Sequence, residues 1–300
     1  MFRQKQTLPW VGLSLMADPS FFQATRPLFE AGDVDVLEWS FDVGWGLESL
    51  PSWVEQLLEF YSQRDRLLGH GVSYSLLSAQ WSDRQAQWLK LLKSECQRYR
   101  YRQISKHFGW MAAGNFERSA PLPMPLTRDT LRIGCMNLRR LTEVTSSPIG
   151  LENLAFAFGL PDVLNQGNFL EQLLQSVNGF LVLDLHNVFC QIHNFDRAAD
   201  EIINSYPLHR VREIHISGGS WSQSTRGDRG LMRRDTHDGD VPEEVFQLLA
   251  LVLKKCPTTE SIILERLGKT LDDEAKMARF RQDFYRIKEI VKNSLCKQKN

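Results

Sequence analysis

The chain has 300 residues, 42% hydrophobic and 24% charged, a balance that suits a folded globular protein and excludes disordered or collagen-like chains. Thirty-six basic residues match thirty-six acidic ones, so no net field draws the whole protein onto nucleic acid or anionic lipid. The five cysteines, Cys96, Cys135, Cys190, Cys256 and Cys296, are scattered with no CxxC pair, which argues against a disulfide framework or a thiolate zinc site and points to a reducing cytoplasm.

From the start, MFRQKQTLPWVGLSLM offers no apolar run followed by a small-residue cleavage site, and no later segment reaches the length of a bilayer span, so neither secretion nor a membrane is expected. Short apolar or β-branched runs then alternate with amphipathic ones to the end of the chain. The predicted strands are 10–16, 34–41, 67–75, 101–110, 148–156, 179–187, 211–219 and 261–268. Between the third and fourth, Ser82 with Gln85 three residues on forms a capping box, and Trp88, Leu92, Cys96 and Tyr99 follow down one helix face. VPEEVFQLLALVLKKC precedes the last strand, and after it Met277, Phe280, Phe284, Ile287 and Val291 recur at helical spacing. Eight strand–helix periods over 1–300 predict one α/β domain, a closed (β/α)₈ TIM barrel, with a doubly wound open sheet as the alternative. Two connections, 111–128 and 220–241, exceed ordinary βα loops and suit functional lids.

In such a barrel the reacting groups gather where the strands end. Glu38, His70, His107, Glu152 beside Asn153, Asp184 with His186 and Asn187, His215 and Glu265 fall on strands two to eight, and Asp235 and His237 on the long connection after the seventh. A lone histidine in an apolar strand is more often a hydrogen-bonded core residue, but His70, His107 and His215 recur on strands three, four and seven here. Acids inside GLEN, VLDL and ILER must be paired or metal-bound to stand burial. Glu38 suits an ion pair as well as a ligand, and His209, just before strand seven, suits a structural place at the barrel bottom. Strand alternation lets only one parity among Asp184, His186 and Asn187 face the axis unless the backbone turns. Asp235 and His237, two apart, face one way and Asp238 the other, while Arg226, Arg233 and Arg234 read first as solvated loop charge, with binding of an acidic substrate group as the less favoured alternative. Nitrogen and oxygen donors without thiolates suit zinc, manganese or iron in a hydrolytic or redox role. No separate catalytic group or organic cofactor site stands out.

The ordered series HGVSYS, ISKHFGW, LPMPLT, LENLAF, LVLDLHNVF, IHNFD, VREIHISG, DTHDGDVPEEVF and ILER, over about residues 66–266, resembles the DUF692 family of multinuclear non-haem iron-dependent oxidative enzymes, methanobactin-biosynthesis oxidase-like. The resemblance implies a xylose isomerase-like barrel holding two or three irons. It implies dioxygen-dependent modification of cysteines in a ribosomally made precursor peptide, as in natural product biosynthesis, with a partner protein presenting the peptide. It also implies His70, His107 and Glu152 as ligands at one edge, Asp184, His215 and Glu265 at the centre, and Asp235 and His237 at a further metal, with His193 or Asn187 as additions. The chain departs from the family pattern in lacking a histidine near the end of its first strand, in reading LEWSFDVGWG after the second, in carrying His186-Asn187 where paired asparagines are usual, and in HISGGSW, which lacks a histidine after the glycine. It is therefore a divergent member. A zinc or manganese sugar isomerase or phosphodiester hydrolase on the same barrel is the alternative enzyme, and a metal-stabilised binding module a third possibility.

Overall fold

A computed structural model describes residues 8–113, 116–224 and 230–296, with backbone alone for 112, 113, 116–120, 295 and 296, so Arg226 lies outside it. Eight parallel strands close into a barrel: β1 (Trp10–Leu15), β2 (Val36–Trp39), β3 (Leu67–Gly71), β4 (Gln103–His107), β5 (Ile149–Glu152), β6 (Phe180–Asp184), β7 (Val211–Ile216) and β8 (Ser261–Leu264), each paired with its chain neighbours and β8 closing on β1. The helices are α1 (Pro19–Glu30), α2 (Ser52–Gln63), α3 (Asp83–Arg98), α4 (Arg128–Val144), α5 (Leu160–Gln175), α6 (Leu185–Phe195), α7 (Ala199–Ser205), α8 (Glu243–Val252) and α9 (Glu274–Cys296), with a single turn at Phe41–Gly44. This is the predicted barrel, and the open sheet is set aside.

Alternation along each strand sorts the residues into two environments. Outward positions such as Leu13, Leu37, Leu151, Leu181, Leu183, Ile214 and Ile216 join the main apolar core beneath the helices. The inward positions are layered: Val36, Leu68 and Ile263, with Trp10 against them, form a separate apolar plug. Two residues further along come Glu38 and His70 on their strands and Glu265 just past the end of β8. The plug seals one end of the barrel, and the polar layer lies above it.

Local chemistry fixes the strand exits. The Asp42 carboxylate accepts from Val72 N at 2.9 Å, Ser73 N at 2.6 Å, Ser73 Oγ at 2.7 Å and Trp88 Nε1 at 2.9 Å, tying the chain after β3 to α3 and so holding His70 in place. The capping box is present, with Ser82 N donating to Gln85 Oε1 at 3.0 Å. In α9 the stripe Met277, Phe280, Phe284, Ile287 and Val291 is buried, and each such side chain contributes about 1.5–3 kcal/mol.

All eight predicted strands run past the observed ends, and two of these differences have a plain local cause. The run 101–110 stops at His107, because Gly109 adopts φ +134° and turns the chain. The stretch 179–187 is a strand only to Asp184, whose carboxylate caps α6 by accepting from Asn187 N at 2.5 Å. Both long connections carry two-stranded antiparallel hairpins, Trp110–Ala113 with Phe116–Leu122 and Trp221–Gln223 with Leu231–Arg233.

Candidate metal centre

Register brings the ligand-type residues together. His107 is the cross-strand neighbour of Glu152, and Asp184 of His215. Inward residues on adjacent strands thus stack into one polar ring at the C-terminal end of the barrel, where α6 and the chain after β7 close over it.

Among the described residues, four groups each bring their donor atoms within 4.8 Å of one another: three in the ring, His70, His107 and Glu152; Glu152, Asp184 and His215; and Asp184, His237 and Glu265; and a fourth, Glu38, Glu213 and His215, in the layer behind it. Of the ring groups, Glu152 belongs to the first two and Asp184 to the last two, so two carboxylates link three sites. His70 Nε2 and His107 Nε2 face each other at 3.3 Å, and each lies 3.5 Å from Glu152 Oε2. His215 Nδ1 lies 3.4 Å from Glu265 Oε2 and 3.9 Å from Glu152 Oε1. Glu152 Oε2, Asp184 Oδ2, His215 Nδ1 and Glu265 Oε2 are buried without a hydrogen-bond partner. Orphaned buried acceptors turned toward a common centre are costly unless a cation satisfies them. The donor set therefore fits metal ions.

A second layer holds the first in orientation. His215 Nε2 lies 2.8 Å from Glu213 Oε1 and 3.2 Å from Glu38 Oε2, which leaves Nδ1 to face the ring. Glu213 is itself held by Gln103 and by Ser261 Oγ at 3.2 Å. His70 Nδ1 pairs with Ser105 Oγ at 2.8 Å, leaving Nε2 inward. Asn187 Nδ2 donates to Asn153 O at 2.9 Å and reaches Glu152 Oε1 at 3.5 Å, and Asn153 Oδ1 accepts from Asp184 N at 2.8 Å. Partners of this kind fix which ring nitrogen is free.

Electrostatics reflects six clustered acids, Glu38, Glu152, Asp184, Glu213, Asp235 and Glu265. Burial raises Glu152 well above the usual carboxylate range, Asp184 to about 8 and Glu38 to about 7. Burial also depresses the imidazoles of His70 and His107, the latter to about 4, each aided by a neighbouring cation. Burial acts against charge on His215 and His237 too, but the carboxylates of Glu265 and Glu38 around the first and of Asp235 and Glu265 around the second outweigh it and raise both well above the histidine value. For Glu265, burial is overcome by these two rings, which hold it at about 2. Protons thus sit where the donor set invites cations.

Eight of the nine predicted residues converge here. His193 does not: it is exposed on α6, with its ring edge-on to Trp221 at 4.5 Å, because it lies two turns beyond the mouth-facing start of that helix. Asp235 meets His237 Nε2 at 2.9 Å and His186 Nδ1 at 3.2 Å through its Oδ1, beside the ring rather than in one of the three groups. His209 lies at the opposite end of β7, exposed beside Glu171 at 3.5 Å. Because the backbone turns at Asp184, the parity limit lapses, and His186 and Asn187 both reach the mouth. Glu213 escaped the sequence reading although it shares the parity of His215 two residues on, which was the available signal. Arg233 is buried, contrary to its reading as solvated charge, while Arg234 is exposed.

Over residues 48–291 the chain matches the family of the RiPP precursor modification enzyme MbnB/TglH/ChrH. It is similar to two UPF0276 proteins of Caulobacter vibrioides. One is 27% identical over 245 residues, covering 80% of this chain and 81% of the relative. The other is 29% identical over 210 residues, covering 70% and 72%. Among solved structures, a xylose isomerase domain protein from Planctomyces limnophilus superposes with a TM-score of 0.60 at 12% identity, covering 96% of this chain and 99% of that one. An L-ribulose 3-epimerase gives 0.58 at 14%, covering 97% of both. Endonuclease IV from Thermus thermophilus gives 0.55 at 15%, covering 94% and 99%. These structural likenesses establish the fold, a xylose isomerase-like TIM barrel. The chain belongs to the MbnB/TglH/ChrH family and is an enzyme of the DUF692 group.

Proposed function

We propose that this family member is a multinuclear non-haem iron enzyme that uses dioxygen to modify cysteine residues of a ribosomally made precursor peptide. The observation that carries the reading is the run of three donor groups joined by Glu152 and Asp184, the arrangement a cluster bridged by carboxylates requires. His70, His107 and Glu152 would hold one ion, Glu152, Asp184 and His215 a second, and Asp184, His237 and Glu265 a third, with Asp235 beside His237. Bound iron supplies redox chemistry and Lewis acidity toward a thiol. Asn187 and Asn153 position the two linking carboxylates, and Glu213 and Glu38 hold His215 so that Nδ1 faces the cluster. The apolar plug of Val36, Leu68 and Ile263 keeps water from entering below.

All donors are nitrogen or oxygen, a set that zinc and manganese share with iron; the choice of iron rests on family membership. The zinc or manganese isomerase or hydrolase alternative rests on a likeness of fold alone, which fits many chemistries. Among the described residues no helix is long and apolar enough to cross a membrane. We place the enzyme in the cytoplasm, working with a protein that presents the peptide.

The test supplies anaerobically prepared, iron-loaded protein with a short cysteine-bearing peptide and then admits oxygen. Oxygen uptake with a mass change that vanishes when the cysteine is replaced by serine supports the proposal. Oxygen-independent turnover of a sugar or phosphodiester by the zinc or manganese form would overturn it.

A further inference from the structure

We propose that Arg233 is a carboxylate-binding residue at the mouth of the barrel, anchoring an acidic group of the ligand whose reacting end meets the candidate metal centre. Arg233 is 5% exposed, and its place is fixed at three points. Its backbone is clamped by the Asn194 side chain, with Arg233 N donating to Oδ1 at 2.8 Å and Nδ2 donating to Arg233 O at 2.9 Å. Its guanidinium carbon lies 5.2 Å from the Trp221 ring centre and 5.6 Å from that of Phe189. Its Nε donates to His186 Nε2 at 3.0 Å.

That single bond is to a neutral acceptor, whereas burying a guanidinium is costly until an anion joins it. The two terminal nitrogens have no hydrogen-bond partner among the described residues, yet they are not sealed from water. Three carboxylates act on it through space, Asp238, Glu244 and Asp235, but none forms an ion pair with it: Asp238 Oδ1 accepts from Thr236 Oγ1 at 2.6 Å, and Asp235 Oδ1 serves His186 and His237. What remains is a flat, preformed fork of two amino groups between aromatic faces, the geometry that a carboxylate meets with two parallel hydrogen bonds. One fixed cation matches one negative charge.

The fork is wired to the candidate ligands. His186 Nε2 accepts from the guanidinium, so His186 Nδ1 carries the proton and donates to Asp235 Oδ1 at 3.2 Å. Asp235 Oδ1 in turn lies 2.9 Å from His237 Nε2, which turns His237 Nδ1 toward Glu265 Oε2 at 3.7 Å. The imidazole of His186 fits because residue 219 is glycine: a Cβ there would lie 2.7 Å from His186 Cε1 and 2.1 Å from Arg234 O. The guanidinium therefore stands three hydrogen bonds from a candidate ligand, at the rim where a substrate enters.

The carboxylate can come from a peptide C-terminus or from an acidic side chain, and peptide-like probes are chosen because the inference rests on the peptide-modifying proposal. Calorimetric titration of the metal-loaded protein would use N-acetylalanine, N-acetylalaninamide and N-acetylaspartyl methylamide with its C-terminus blocked. None contains cysteine, so the result is independent of whether cysteine is the reacting group. A carboxylate probe should bind about tenfold more tightly than the amide, as two charge-assisted bonds allow. Preference for N-acetylalanine identifies a C-terminus and preference for the aspartyl probe a side chain. In Arg233→Gln the difference should shrink to about twofold or less, with metal content and melting temperature measured alongside; in Arg233→Lys, which keeps the charge without the fork, it should be intermediate. If Arg233→Gln fails to fold, the Arg233→Lys titration decides. No acid–amide difference in the unaltered protein overturns the proposal, and so does a difference that survives in both variants, which would place the carboxylate on the metal ions.

Discussion

Glu152 and Asp184 each belong to two donor groups, so removing either leaves neighbouring cations without the charge that offsets their mutual repulsion. Glu152→Ala or Asp184→Ala is expected to lower metal content by more than a single ion while the protein stays folded, and His209→Ala, at the far end of β7, to leave it unchanged; elemental analysis of the three variants checks this. The same crowding gives the metal-free protein a pH signature. Burial raises Asp184 from 3.8 to about 8, so between these values the folded state keeps a proton that the unfolded state releases. Stability from this group is complete below the unfolded value and is lost as the pH rises through about 8. Glu152 and Glu38, also raised by burial, and His215 and His237, raised by their acidic neighbours, act in the same direction; the depressed His70 and His107 oppose it only below their ordinary value of 6.5, and Lys106 alone among these groups, which burial lowers to about 7, opposes it above that. The melting temperature of chelator-treated protein should therefore fall between about pH 6.5 and 8, and added metal, which replaces the protons, should remove most of the fall. A chelated sample whose melting temperature rises over that interval would show that the acids are not crowded as described.

The turn from β6 into α6 shows why part of the site was hidden in the sequence. VLDLHN reads as a continuing strand, yet Asp184 uses one carboxylate oxygen to cap the helix and keeps the other for the ring. A cap and a candidate ligand in one residue leave no separate sequence signal. His237 is a second case. It adopts φ +52°, so the extended geometry that would aim Asp235 and His237 alike does not hold, and the two meet by a hydrogen bond instead. Asp238 turns to Thr236. His237→Ala should remove one ion and abolish turnover, while Asp238→Ala should lower activity by about 10–100-fold or less, as losses outside the ligands do; metal stoichiometry measured beside activity separates them. By contrast, the α9 stripe was legible because helical spacing alone sets which side chains are buried. Phe284→Ala should cost about 3–5 kcal/mol in a denaturation experiment without altering metal content, since it lies beneath the helices and far from the polar ring.

Across the whole molecule, the eight-strand periodicity and the apolar–polar alternation made the barrel and the inward-facing His70, His107, Glu152, His215 and Glu265 legible. The supporting layer was not, because Glu213, Gln103 and Ser261 gain meaning only once strands distant in sequence are set side by side. The first reading of Arg233, as solvated charge, failed because nothing local indicates that Phe189 and Trp221 will enclose it. The barrel thus places an apolar plug, a supporting polar layer, a shared ring of donors and a cationic rim in order along its axis. The measurement that bears most directly on this account is the metal content of anaerobically prepared protein, by elemental analysis. Two or three irons per chain, reduced in Glu152→Ala, is the result expected; zinc or manganese at that stoichiometry, or no retained metal, would contradict it.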